Sequence, residues 1–370
     1  MHRLLLLGAG KIGRMIAKLL IDSGDFEVSV GDHDQATLQS LARLVPVETV
    51  LVDATDPSSL DAAMASADSV MSALGFEHNP NVAAAALRAG ISYFDLTEDV
   101  ESTRAVREIA ASAPRGQVFM PQCGLAPGFI SIVAAGLANR FEKLDKVHMR
   151  VGAIPQFPTG QIKYNLSWST AGLINEYCKL CEAIEEHGRI EVLPLEGLEE
   201  FSIDGVSYEA FNTSGGIGTM CETLKGRVRE LNYKTIRYPG HRNLMFFLVN
   251  ELRLNKKQEL LREILEASVP RTDQDVVVTL CTVSGWQNDR LTQYTDVRKI
   301  YASEIDGERW TAIQITTAAG ACAALDLWRN GQLPDSGFLL QEQVSLKSFL
   351  ENRFGRYFAN DPARPAPVWN

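Results

Sequence analysis

Residues 4 to 24 read LLLLGAGKIGRMIAKLLIDSG, and the fold turns on how that stretch is parsed. Four consecutive leucines form the short, wholly apolar run that a strand buried on both faces requires. Gly8, Gly10 and Gly13 then fall as G-x-G-x-x-G, and Ile12, Ile16, Leu19 and Leu20 recur along one side of a helix. Glycines so placed serve a tight turn, a close approach of backbone to a pyrophosphate, and close packing of helix on strand; the helix N-terminus presents its positive dipole end to the phosphates. Alone, the motif is weak. Its context makes it specific, because FEVSVGD reads as a second strand ending on Asp32, nineteen residues past Gly13, where an acid holds the ribose hydroxyls of a dinucleotide.

Asp32 also bears on the choice of cofactor. A carboxylate accepts both ribose hydroxyls of NAD and repels a 2′-phosphate, and His33 and Asp34 supply no arginine clamp, so NAD is expected over NADP. Helical and strand-like segments then alternate to QVFM at residues 117–120, the signature of a parallel sheet wound on both faces. Residues 1–122 therefore read as an α/β Rossmann domain. Lys11 and Ile12 accompany the glycines at the cofactor; Asp53, Ala54 and Thr55 follow the third strand toward the adenine. Ser72, Ala73, Leu74 and Gly75 follow the fourth, beside the pyrophosphate and nicotinamide ribose, since ligands lie at the carboxyl ends of such strands. Asp95, Thr97, Glu98 and Asp99 in DLTED approach the same edge, two of them explicable as helix caps. PQCGLAPG, residues 121–128, emerges there too and reads as an active-site wall.

From about residue 144 the pattern changes to longer strands with exposed faces, taken as antiparallel, and separate helices, one of them spanning GLINEYCKLCEAIEEH. This is an α+β pattern. The division expected is a substrate and dimerisation domain over 123–312, inserted before C-terminal helices over 313–358 that return to the first domain, with 359–370 a flexible tail. NYKTIRYPGHRN concentrates polar groups: Arg237 suits bidentate capture of a carboxylate, Tyr238 lies beside it, and His241 suits proton transfer. The glycines of FNTSGGIGTMCETLKG miss the Walker spacing, so that turn reads as presenting Asn212, Thr213 and Ser214 to substrate.

Composition excludes several classes. A net charge of −10 over 370 residues leaves no broad basic surface for nucleic acid or anionic membrane. The apolar run after Met1 is too short for a secretory h-region and no stretch approaches a membrane span, so a cytoplasmic protein is expected. Cys178 and Cys181 form a single C-x-x-C without a second pair or nearby histidines, and no metal site is read. A small-molecule amino-acid substrate is the expected partner, with a homodimer expected from the exposed strands.

GAGKIG, CGLAPG, LSWSTAGLINEY, FNTSGGIGTMCETL and above all LNYKTIRYPGH, between about residues 4 and 245, together make the chain resemble the saccharopine dehydrogenase family, and within it the L-lysine 6-dehydrogenases. The resemblance implies NAD-dependent oxidative deamination of the ε-amine of L-lysine to 2-aminoadipate 6-semialdehyde and ammonia, the aldehyde cyclising to piperideine-6-carboxylate. It also implies that Cys123 and Gly124 touch substrate or nicotinamide. Saccharopine-acting relatives resemble W-S-P-R-G where this chain has WSTAG, residues 168–172, so Ala171 replaces a cation that a glutamyl carboxylate would need. Hydride leaves carbon only from a neutral amine, which requires a base, and His241 and Glu98 are the candidates. The alternatives are a saccharopine or carboxynorspermidine dehydrogenase, or an NAD-bound regulator without turnover.

Overall fold

The computed structural model describes residues 1–359; all but the first residue of the expected tail lies outside the described residues. The first unit comprises Met1–Ile132 and Thr317–Tyr357. In chain order its opening part runs β1 (His2–Leu7), α1 (Lys11–Asp22), β2 (Phe26–Asp32), α2 (Gln35–Leu44), β3 (Glu48–Leu51), α3 (Pro57–Met64), β4 (Ser69–Ser72), α4 (Asn79–Ala89), β5 (Ser92–Asp95), α5 (Val100–Ala110), β6 (Val118–Met120) and the first turn of α6 (Phe129–Ala138). The strands order as β6-β5-β4-β1-β2-β3, every pair parallel. All four leucines of β1 are buried, alternate ones facing the helices on opposite sides. Leu5 and Leu7 join Val70, Tyr93 and Phe119 beneath Val82, Ala86 and Val106 of α4 and α5. The strand order reverses between β1 and β4, and such a switch point opens a crevice at the carboxyl ends.

The second unit, Val133–Thr316 with the described residues from 358, is built on β7 (Lys143–Pro155), α7 (Thr170–Cys178), β8 (Cys181–Glu185), β9 (Gly188–Val192), β10 (Glu199–Ile203), β11 (Val206–Asn212), α8 (Met220–Thr223), β12 (Glu230–Arg237), α9 (His241–Phe246), α10 (Gln258–Ser268), β13 (Asp275–Gln287) and β14 (Arg290–Tyr301). Its sheet runs β10-β11-β12-β7-β13-β14, with β8 and β9 pairing off β12. The sheet is mixed rather than antiparallel throughout, because β7 and β12 pair in parallel. Such a pair needs a long crossover, which the segment from α7 to β11 provides.

After the short strands β15 (Ser303–Ile305) and β16 (Glu308–Trp310) come α11 (Ala312–Arg329), β17 (Gly337–Phe338) and α12 (Leu346–Glu351). β17 extends the first sheet beside β6, in parallel. The last of the helices expected over 313–358 is short: Ser345 caps α12 by accepting from the Ser348 N–H, and only a 3-10 turn precedes it. The helix expected across the C-x-x-C also stops early. It ends at Cys178, and Cys181 pairs with Val192 in a hairpin turned by Glu186 and His187 at φ 44° and 66°. Strand pairing overrides local helix propensity there and parts the two thiols. No helix among the described residues is long and apolar enough to cross a membrane.

Candidate active site

The glycine loop after β1 divides its duties by geometry. Gly8 has φ +103°, and a Cβ there would stand 2.7 Å from the Ala73 carbonyl oxygen. A Cβ on Gly13 would run into the Gly8 carbonyl, well inside van der Waals contact, so α1 packs on the loop only with glycine there. A Cβ on Gly10 would meet nothing within 4 Å beyond its chain neighbours, and no side chain caps the first turn of α1. Open space meeting uncapped helix N–H groups is what a pyrophosphate requires. Lys11 stands exposed at the first helical position and Ile12 is half-buried behind it.

Asp32 ties this loop to β2, its Oδ2 accepting the Ala9 N–H at 2.8 Å and its Oδ1 the Asp34 N–H at 2.9 Å. It borders a cavity of about 470 Å³ that is also lined by His33, Asp53, Ala54, Thr55 and Leu74. Asp32, Asp53 and Asp56 put three carboxylates on its wall, and neither lysine nor arginine lines it. The Thr55 hydroxyl and N–H both donate to Asp53, which holds its carboxyl below the ordinary range. Ala73 meets the loop through its carbonyl, and Gly75 begins the turn leading to α4. Ser72 departs from expectation: it is buried and its hydroxyl donates to Asn79 Oδ1 at 2.7 Å, bracing the start of α4 rather than facing the crevice.

In DLTED three groups are spent on structure. Asp95 is buried and accepts from the Tyr93 hydroxyl at 2.6 Å and from the Thr97 and Gln122 N–H groups, while its carbonyl accepts the Cys123 N–H. Thr97 accepts the Asp99 N–H, and Asp99 caps α5 through the Ser102 N–H. Glu98 remains, partly buried and without a hydrogen bond to another residue among those described. Burial, and then the negative charges of Asp99, Asp95 and Glu77, push its carboxyl up to about 7.

Asp95 thus staples β5 to the 121–128 turn. Cys123 and Gly124 are buried. The Cys123 thiol lies 3.1 Å from the Met120 carbonyl and 3.3 Å from Gln341 Nε2, and burial holds it protonated far above neutrality. Its side chain faces the protein interior, so a substrate contact through the thiol gives way to a structural one. The turn contains a cis Ala126–Pro127 bond, and Gly128 at φ +126° lets Phe129 donate to the Gly124 carbonyl as α6 begins. Behind the turn, a Cβ on Gly320 of α11 would meet the Gly124 and Cys123 carbonyl oxygens at 2.7 and 2.9 Å.

In the second unit, Arg237, Tyr177 and His241 are each nearly inaccessible, at 2%, 1% and 1% exposure. The Arg237 Nε donates to the Tyr177 oxygen at 3.0 Å, its Nη1 donates to Thr235 Oγ1 and the Ile236 carbonyl, and its plane lies 4.8 Å over the Tyr164 ring. Tyr177 and His241 Nε2 are 3.0 Å apart, and His241 Nδ1 is 2.8 Å from the Ile162 carbonyl. Nδ1–H donating to Ile162 leaves Nε2 to accept the Tyr177 O–H, so both ring nitrogens are engaged. Burial and the Arg237 charge depress the His241 pKa to about 3. A neutral, doubly bonded imidazole positions its neighbours; the expected proton acceptor is not the role this geometry gives it. An unfolded chain takes up a proton near pH 6.5 that folded His241 refuses, so this site costs stability as pH falls from about 6.5 toward 3.

Strand alternation decides the rest. Tyr238 is on the opposite face from Arg237: its hydroxyl donates to the Pro155 carbonyl at 2.8 Å and its ring stacks on Tyr208. Asn212, opposite Lys234 in the ladder, donates to the Leu193 carbonyl and holds the 193–197 loop. Neither joins the Arg237 cluster. Bidentate carboxylate capture is also unavailable to Arg237, whose Nε and Nη1 are occupied; Nη2 makes no hydrogen bond among the described residues. Sequence reasoning missed Tyr177 and Tyr164, which a helix and a loop bring beneath β12. Tyr177→Phe leaves two buried nitrogens unpartnered and is expected to lower stability by about 2 kcal/mol, read from the urea midpoint.

Two family descriptions match the chain: the saccharopine dehydrogenase NADP binding domain over residues 4–120, and the saccharopine dehydrogenase C-terminal domain over residues 124–352. The chain belongs to the saccharopine dehydrogenase family. A relative in Saccharomyces cerevisiae, saccharopine dehydrogenase [NADP(+), L-glutamate-forming], is 27% identical over 183 residues, which are 46% of this chain and 39% of that protein, so the match spans well under half of the relative. The solved apo saccharopine dehydrogenase (L-Glu forming) from the same yeast has the same fold, with a TM-score of 0.79 at 17% identity over 95% of this chain and 97% of that one. In this saccharopine dehydrogenase family member, Ala171 stands exposed in the first turn of α7, behind the Ser169 cap.

Proposed function

We propose that the protein is an NAD-dependent oxidoreductase that oxidises the ε-carbon of L-lysine. The observation that carries the cofactor reading is the adenosine-side cavity, with three carboxylates and no arginine or lysine on its wall; a 2′-phosphate there meets repulsion and no clamp. The glycine loop and α1 N-terminus would hold the pyrophosphate, and bound there NAD supplies the hydride acceptor. Glu98 takes the proton from the substrate ammonium, freeing the lone pair that must move as hydride leaves, and later serves the attacking water in the same way. Overall, lysine, NAD⁺ and water give the semialdehyde, ammonium, NADH and one proton. Ala171 supports lysine, since that position offers no cation to a second carboxylate. Saccharopine oxidation is the second reading, favoured by the family and by the yeast relative's activity.

Following absorbance at the NADH band with each substrate and each cofactor separates them. L-lysine with NAD is expected to give NADH and stoichiometric ammonia, with NADP at least about tenfold poorer. Signal from saccharopine alone would move the protein to the second reading. Silence with both would remove the substrate assignment.

A further inference from the structure

One acid on the wall of the first unit's cavity is held rigidly by half of its carboxylate. Asp53 follows β3, and its Oδ1 accepts both the Thr55 hydroxyl at 2.6 Å and the Thr55 N–H at 2.8 Å. Its own N–H donates to Ser59 Oγ at 3.0 Å, so the backbone beneath the carboxylate is pinned as well. Asp53 Oδ2 makes no hydrogen bond among the described residues, and the side chain belongs to the cavity wall. The other two acids of that wall are engaged differently. Asp32 spends one oxygen on the Ala9 N–H and the other on the Asp34 N–H, and Asp56 caps α3 through the Ser58 N–H. Beside Asp53 the wall turns apolar. Leu51, Val52 and Leu74 line it, Leu51 being 59% exposed at the end of β3 and paired with Asp32 in the ladder. Apolar walls suit the faces of a flat base, and a fixed acceptor at their rim selects by the base's edge.

We infer that Asp53 Oδ2 accepts a hydrogen bond from the 6-amino group of the cofactor's adenine, which makes the site selective for adenine over 6-oxopurines. An ionised carboxylate only accepts, and on the edge of adenine the 6-amino group is the donor. A 6-oxo group turns an acceptor toward the same oxygen and puts repulsion where the bond was. A role confined to Thr55 uses Oδ1 alone and gives no preference between bases. The inference rests on the dinucleotide reading of the proposed function and adds how its base is told from others. Its readout is binding, so it stands whatever amine the protein oxidises.

Calorimetric titration with NAD and with nicotinamide hypoxanthine dinucleotide, which carries a 6-oxo group in place of the amine, tests it. The wild-type protein is expected to bind NAD at least about tenfold more tightly. Asp53→Asn keeps an oxygen for Thr55 and puts an amide N–H where Oδ2 stood. It should bind NAD about tenfold more weakly and the hypoxanthine dinucleotide as well as or better than the wild type does, erasing or inverting the preference. Leu51→Ser should weaken both about fivefold and keep their ratio, because it removes apolar wall and no edge contact. Equal binding of the two dinucleotides by the wild type, or an equal loss on both in Asp53→Asn, overturns the inference and leaves Asp53 to hold the turn. Undiminished affinity in Leu51→Ser takes the base off this wall and overturns it too. Should NADP bind and NAD not, the NAD preference falls separately, and NADP against its hypoxanthine counterpart decides Asp53 on the same ratio. Binding of neither counts against both.

Discussion

Glu98→Gln is expected to lower kcat/KM about a thousandfold at pH 8 while NAD affinity stays within about twofold of the wild type. Of the four polar residues from the end of β5 to Asp99, the others are committed: Asp95 to the 121–128 turn, Thr97 and Asp99 to the start of α5. Glu98 has no such duty, and burial lifts its carboxyl to about 7, where a base is both ionised in useful amount and able to take a proton. The wild-type profile of kcat/KM should therefore rise with pH and level off above about 7, and the variant's profile should be flat in that window. Stability gives a second readout with its own sign. Folding raises this pKa, so the folded state favours the protonated carboxyl, and the residue costs stability as pH climbs from about 4.5 through about 7. Glu98→Gln should accordingly match the wild-type Tm at pH 5 and equal or exceed it at pH 8. An undiminished rate, or a variant that keeps the wild-type pH dependence, would place the base elsewhere.

The second large effect separates two glycines of one motif. Gly13→Ala drives a methyl into the Gly8 carbonyl, which forces α1 off the sheet and costs about 3 kcal/mol or more of a marginal total. The expected result is a protein that is insoluble or melts at least about 5 °C lower. Gly10→Ala meets no atom within 4 Å and keeps a φ of −70° that alanine adopts freely. It should melt like the wild type and bind NAD about a hundredfold more weakly in a fluorescence titration, because the methyl occupies the space a pyrophosphate needs. Normal NAD binding by Gly10→Ala would refute the cradle, whatever Gly13→Ala does.

Much of the first unit was legible because its signals are local. An unbroken apolar strand, a glycine spacing and an acid at the next strand end suffice to place β1, α1 and Asp32, and the alternation that follows them is met by α2 over Gln35–Leu44. Ser72 shows the limit: its position at a strand end is readable, but which way its hydroxyl turns depends on Asn79, seven residues on. In the second unit the limit is sharper. Arg237 ends β12 and Tyr238 follows it with its side chain on the opposite side, and the parity of a strand cannot be fixed until its core side is known. Tyr177, which holds both Arg237 and His241, lies sixty or more residues from either. His241 reads as a titrating group because histidine usually is one; burial beside a cation, which only the fold creates, takes that away.

Gly320 seats the 121–128 turn and Gln341 donates to the Pro121 carbonyl, so that turn is finished by the last seventh or so of the chain. Roughly half the sequence, the whole of Val133–Thr316, is made between the two parts of the first unit. At about 5–20 residues per second a ribosome needs on the order of ten seconds or more to cross that interval. Throughout it β6 waits as an open edge for β17, offering unpaired backbone to any neighbouring nascent chain. The order of synthesis therefore leaves the 121–128 turn to be completed only after the whole of Val133–Thr316 has been made.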